Sequence, residues 1–129
     1  MIVLDTHVFL WWVVDPDRLT NPQKDAIQRH EAERIGVSAI TCWEIAKLNQ
    51  LGRLTLDRSL VDWLETALSY PGIELLPLTP EIAIASTQLP DGFHSDPADE
   101  MLIATARVFD CPLVTADRKV RAYPHVVTI

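Results

Sequence analysis

The sequence predicts an α/β fold, a three-layer α/β/α single domain on a mostly parallel sheet, and three observations carry that expectation. Short β-branched or leucine-rich runs alternate with longer segments of helical period, the pattern of a parallel sheet covered on both faces. The chain has 129 residues, 48% of them hydrophobic and only four glycines, which is enough apolar side chain for one core. No repeat, linker or compositional break divides it, so residues 1–129 read as one domain.

The elements follow in order. Ile2 to Leu4 forms the first strand, and the apolar segment after it contains the neighbours Trp11 and Trp12. Two adjacent residues of one helix cannot both point inward, so one of this pair is a candidate contact surface. Asn21 to Glu33 is a polar helix opened by Pro22, Ile35 to Ser38 is the second strand, and Thr41 to Leu51 is a helix ending at Gly52. Ser59 to Ser69 is a helix that stops before Pro71-Gly72, and Glu74 to Leu76 is the third strand. Thr79-Pro80-Glu81 opens a short helix through Thr87, and Leu89 to Ser95 is irregular. Pro97 to Phe109 carries the strongest helical pattern, with Met101, Leu102, Thr105, Val108 and Phe109 on one side. Pro112 to Thr115 and Val126 to Thr128 supply two further strands around a short helix, Asp117 to Ala122. Phe9, Trp43 and Trp63 read as core aromatics. Cys42 and Cys111 read as small core residues, since they form no CxxC or Cys/His cluster.

Eleven Lys and Arg against eighteen Asp and Glu leave a net charge of −7. That balance excludes holding nucleic acid on a broad basic surface; such a partner has to be met by local basic patches or bound cations. No stretch has the roughly 18 apolar residues of a membrane span, and Met1-Ile2-Val3-Leu4-Asp5 lacks a basic leader, so a cytoplasmic protein is expected.

Open α/β sheets bind ligands where strands end and helices begin. Asp5 follows the first strand, Asp117 follows the fourth, and Glu44 and Asp99 fall in the first turns of the helices predicted from Thr41 and Pro97. Four acids from four segments thus face one sheet edge. Clustered carboxylates repel and raise one another's pKa unless a divalent cation neutralises them, and an all-oxygen donor set selects hard ions such as Mg²⁺ or Mn²⁺. Each acid also has a purely structural role open to it. Thr41-Cys42-Trp43-Glu44 matches a capping box, Asp96 matches the N-cap before Pro97, and Asp5 and Asp117 fit N-cap positions too. Lys47, Arg53, Arg118 and Lys119, with Arg121, are candidate phosphate contacts beside the acids. Against this, Lys47 can pair with Glu44 at i,i+3, and the 118–121 cluster can be a solvated helix face. The four histidines share no ligand spacing; His94, before Ser95-Asp96-Pro97, is the one placed to reach a substrate.

With these residues in hand, the chain resembles a PIN-domain ribonuclease of the VapC toxin type. The resemblance rests on Ile2-Val3-Leu4-Asp5-Thr6-His7, on Ser38 to Ala46 with Leu51-Gly52-Arg53-Leu54, on His94 to Ala106, and on Leu113-Val114-Thr115-Ala116-Asp117-Arg118. These segments occur in family order over residues 2 to 121. The resemblance implies a PIN-like fold whose acidic constellation falls on Asp5, Glu44, Asp99 and Asp117, with Thr6, Asp96 and Thr115 in support. Ala98 departs from the pattern, which has a bulkier residue there. Further implications are Mg²⁺-dependent endonucleolytic cleavage of RNA, inhibition by a cognate antitoxin lying across the groove, and a homodimer. Haloacid-dehalogenase phosphatases need Asp-x-Asp after the first strand, where this chain has His7. Response-regulator receivers need an Asp after a middle strand, where this chain has Leu76-Pro77-Leu78. The remaining alternative is a non-catalytic metal-binding or protein-interaction module.

Overall fold

A computed structural model describes residues 1–129. Four parallel strands, β1 (Ile2–Leu4), β2 (Ile35–Ser38), β3 (Ile73–Leu76) and β4 (Leu113–Val114), form one sheet in the order β3-β2-β1-β4. The helices are α1 (Thr6–Val14), α2 (Asn21–His30), α3 (Ala39–Gln50), α4 (Leu60–Leu68), α5 (Pro80–Ser86), α6 (Pro97–Val108) and α7 (Arg118–Ala122). Short 3₁₀ turns lie at Pro16–Arg18 and Pro90–Gly92. No helix is long and apolar enough to cross a membrane.

The three layers follow from strand alternation. Ile2 and Leu4 point to one face, where they pack with Phe9, Ile27, Ile45 and Trp63 from α1, α2, α3 and α4. Val3 points to the other, where it meets Leu102 and Ile103 of α6 and Val120 of α7. All three β1 side chains are fully buried, which is why this central strand reads as a continuous apolar run.

Four expectations need correction. The fifth strand, over Val126–Thr128, is reduced to one bridge between Leu113 and Thr128, because its only neighbour is the two-residue edge strand β4. Helix α2 stops at His30 instead of Glu33, since the chain turns through residues 31–34 to enter β2. Trp43 is 58% exposed and lies outside the core, whereas Phe9 and Trp63 are buried as expected. Both cysteines are half-buried and free. Of the tryptophan pair, neither is bare: Trp12 meets Tyr70 edge-on at 5.5 Å, and the Arg18 guanidinium lies 4.8 Å from the Trp11 ring.

The turn into β3 depends on Gly72, whose φ of +85° is the left-handed region, and a Cβ there would stand 2.5 Å from the Glu31 carbonyl oxygen. Gly72→Ala is expected to cost about 2–4 kcal/mol from backbone strain and overpacking. Urea unfolding will register this as a lower midpoint with an unchanged slope.

Candidate active site

The strand order fixes the neighbourhood. Since β1 lies between β2 and β4, the segments leaving these three strands emerge side by side, and α6 packs against β1 from the other layer. Asp5 leaves β1 in an extended conformation and caps α1. Its Oδ1 accepts from the Thr6 backbone N–H at 2.6 Å and its Oδ2 accepts from the Thr115 hydroxyl at 2.6 Å, with only 7% of the residue exposed. Thr115 follows β4. Its hydroxyl accepts from the Asp117 N–H at 3.1 Å, while its carbonyl accepts from the side chains of Gln23 and Arg121. Asp117 caps α7, its Oδ1 accepting from the N–H groups of Lys119 and Val120.

Glu44 arrives differently from the expectation. Ser38 is the N-cap of α3, its hydroxyl accepting from the Ile40 N–H at 3.1 Å, so Thr41 and Glu44 form no capping box and Glu44 lies in the second turn. Freed from capping, the Glu44 Oε1 accepts from the Thr6 hydroxyl at 2.5 Å, and that hydroxyl also meets the buried Thr41 hydroxyl at 3.0 Å. On α6, Asp96 is the N-cap, its Oδ1 accepting from the Asp99 N–H at 2.9 Å, and the Asp99 Oδ2 accepts from the Ser95 hydroxyl at 2.8 Å. Capping and membership of the acidic edge are therefore not alternatives: Asp5, Asp96 and Asp117 do both. Each of Glu44, Asp96, Asp99 and Asp117 commits one oxygen to the protein and leaves the other without a protein partner.

The electrostatics bind these acids into one system. Burial pushes the Asp5 carboxyl above its ordinary value, against the Thr115 and Thr6 hydrogen bonds and the His7 charge, with the Asp117 charge pushing further up. Glu44 is raised by burial and by Asp5, Asp96 and Asp99, against its bond to Thr6. Asp99 is raised to about 6, first by burial and then by Asp96, Asp5 and Asp117, against the Ser95 hydrogen bond. The ion pairs of the protein all lie elsewhere, so none of these acids has an ion-pair partner, and the His7 charge offsets the burial of Asp5 only in part. No three of the carboxylates enclose a single metal-sized position in this conformation. The donor set nevertheless fits a hard cation: oxygen only, held by hydrogen bonds, with acceptors to spare and no ion-pair partner.

The basic residues divide. Lys47 turns to the Gln50 Oε1 at 2.9 Å and does not pair with Glu44, and Arg53 is exposed in the loop beyond α3. Arg118 is exposed next to Asp117, and the Lys119 ammonium lies 5.4 Å from the Phe93 ring. His94 is exposed and, unlike His7, does not act on the Asp5 carboxyl. His7, Thr41, Ser95 and Gln23 are the contributors that sequence reasoning passed over. His7 was findable, being two residues past Asp5 in the first turn of α1, and so was Ser95, four residues before Asp99; Thr41 and Gln23 are revealed only by tertiary contact.

The comparisons with known proteins agree with this architecture. The family model described as PIN domain matches residues 2–126. Ribonuclease VapC22 of Mycobacterium tuberculosis (strain ATCC 25618 / H37Rv) is 34% identical over 124 residues, covering 96% of this chain and 92% of that protein. Two solved structures share the fold. VapBC2 from Rickettsia felis, bound to a DNA fragment from its promoter, has a TM-score of 0.72 at 16% identity, over 100% of this chain and 98% of that one. DNA-bound VapBC from Salmonella typhimurium has a TM-score of 0.71 at 18% identity, over 99% and 96%. A match along almost the whole chain, together with acids that leave three adjacent parallel strands and the helix packed on them, establishes that the chain belongs to the PIN domain family and to its VapC group.

Proposed function

We propose that this chain is a metal-dependent endoribonuclease, the toxin of a toxin–antitoxin pair, working on RNA in the cytoplasm. The observation that carries the reading is the gathering of four carboxylates, Asp5, Glu44, Asp99 and Asp117, at one sheet edge without an ion-pair partner, with Asp5, Glu44 and Asp99 raised first by burial and then by neighbouring acids. Holding such a set together is unfavourable unless a cation occupies it. Asp5 and Asp99 would be the principal ligands of Mg²⁺ or Mn²⁺, with Glu44 and Asp117 on either side. Such an ion supplies Lewis-acid stabilisation of a phosphodiester and lowers the pKa of a coordinated water.

The residues of the chain do the positioning. The Thr6 backbone N–H and the Thr115 hydroxyl fix the Asp5 carboxylate, and the Thr6 hydroxyl fixes Glu44, so one residue holds acids from two separate elements through two different donors. Ser95 orients Asp99. Arg118 and Lys119, beside Asp117, would meet the flanking phosphates. Arg53 and Lys47 are more distant candidates for the same role. The names of the similar solved structures, VapBC complexes, support a cognate antitoxin as partner, and a homodimer fits the group.

The purified chain is expected to cleave single-stranded RNA internally in Mg²⁺ or Mn²⁺, to stop in excess EDTA, and to resume when the ion is restored. Cleavage that persists in EDTA would overturn the metal-dependent reading. Cleavage in neither condition, by a folded protein that binds Mn²⁺, would favour the non-catalytic module.

A further inference from the structure

Between α3 and the start of α6 lies a hollow of about 400 Å³ with an apolar floor of Ile40, Trp43, Pro97 and Met101. Its remaining polar wall is Glu44 and Asp96, two members of the acidic edge. Trp43 is 58% exposed although it is the largest side chain on α3, and no aromatic or basic group stacks on it. A soluble protein keeps an indole bare at the margin of a charged site only at a cost, and such patches mark binding positions.

We propose that this hollow is a nucleobase subsite: it takes the base next to the scissile phosphate, stacked on the Trp43 indole, with the edge of the base turned to Asp96. The proposal rests on the reading of the acidic edge as a ribonuclease site and adds how that site chooses its substrate. Three features favour a base as occupant. The hollow opens directly onto the carboxylates, so a phosphodiester held there carries its neighbouring base to the indole. Its walls combine a flat apolar face with carboxylate acceptors, which is the complement of a base, apolar on its faces and polar on its edge. The Asp96 side chain also spends only Oδ1 on capping α6, leaving Oδ2 as an acceptor at the wall. A carboxylate acceptor selects a donor-rich edge. Guanine offers a ring N–H beside an exocyclic amino group, whereas uracil offers one N–H between two carbonyls, so guanine is preferred over uracil at this position.

Four proteins test the subsite: the parent, Trp43→Ala, Trp43→Phe and Asp96→Asn. Binding is read apart from cleavage, by quenching of tryptophan emission as short phosphorothioate-linked oligoribonucleotides are added with Ca²⁺ in place of Mg²⁺, so that the acidic edge carries a cation. The parent should be quenched more strongly than Trp43→Phe, with guanine-containing strands binding more tightly than uracil-only ones. Trp43→Ala should raise KM for RNA about tenfold or more while leaving hydrolysis of bis(p-nitrophenyl) phosphate, a diester without a base, as in the parent. Trp43→Phe should keep most of the RNA affinity. Asp96→Asn, whose amide still caps α6, should narrow the guanine preference. The proposal is overturned if no strand quenches the Trp43 emission, whether or not the parent cleaves RNA. It is equally overturned if Trp43→Ala keeps the parent's KM and instead dissociates a dimer in sedimentation, which would assign the face to a second copy of the chain. If the parent hydrolyses neither RNA nor the base-free diester, the ribonuclease reading fails while the quenching result still decides the subsite.

Discussion

Asp5→Asn is expected to lower RNA cleavage at least about 100-fold and to leave the protein folded and close to the parent in stability. The two effects have one origin. Asp5 is the most buried of the acids, and burial raises its pKa despite the Thr115 and Thr6 hydrogen bonds and the His7 charge, so the folded protein gains nothing from the negative charge itself. Asparagine has nearly the same shape but satisfies its neighbours only in part: its Oδ1 accepts from the Thr6 N–H and its Nδ2 can donate to the Thr115 hydroxyl, whose own proton then loses the acceptor it has in Asp5 Oδ2, a cost that offsets the relief of burying one charge fewer. What the substitution removes is a charged oxygen donor at the centre of the acidic edge. Cleavage rates and thermal melts measured on the same preparation check both halves. A variant that cuts RNA as fast as the parent in excess Mg²⁺ would displace Asp5 from the site.

Asp99→Asn should change the pH dependence of stability in a defined direction. In the folded protein Asp99 keeps its proton up to about 6, whereas the unfolded chain releases it near the ordinary 3.8. The folded state therefore binds more protons between these values. Its advantage from this group is complete below pH 3.8, declines as pH rises, and is gone above about 6. At pH 7.5 without metal the variant should be more stable than the parent by about 1 kcal/mol, a figure scaled down for the half-exposed carboxyl, and the difference should vanish near pH 4. Excess Mn²⁺ should reverse the order at pH 7.5, because an ion bound only to the folded parent stabilises it. The gain of the parent from Mn²⁺ should be smaller at pH 5, where Asp99 is mostly protonated. Parallel pH profiles for parent and variant, with equal shifts in Mn²⁺, would remove Asp99 from the metal-binding set.

What the sequence revealed, and what it hid, follows from the range of the interactions. The β1 run and the acid after it were legible because a buried parallel strand is continuously apolar and its exit is where a doubly wound sheet places polar groups. The start of α6 was legible for the same local reason: Asp96, Pro97 and Asp99 satisfy cap, first-turn and dipole preferences together. Helix α3 was misjudged because two hydroxyl residues compete for its cap. Ser38 wins while still paired in β2, and Thr41 is released to meet Thr6, a contact spanning 35 residues that no local pattern contains. The Glu44 to Lys47 pairing failed likewise, since Glu44 is already held by Thr6 and Lys47 has Gln50 within reach. Trp43 was misplaced because its neighbours Cys42 and Ile45 are apolar, so composition alone gave no sign that the indole faces outward.

The hydrogen bond between Thr115 and Asp5 joins residues 110 positions apart. Its consequence concerns cooperativity. Asp5 is oriented by Thr115 only while β4 lies beside β1, and Asp117 caps the helix that follows β4, so local opening of β4 and α7 releases both acids at once and the acidic edge comes apart as a unit.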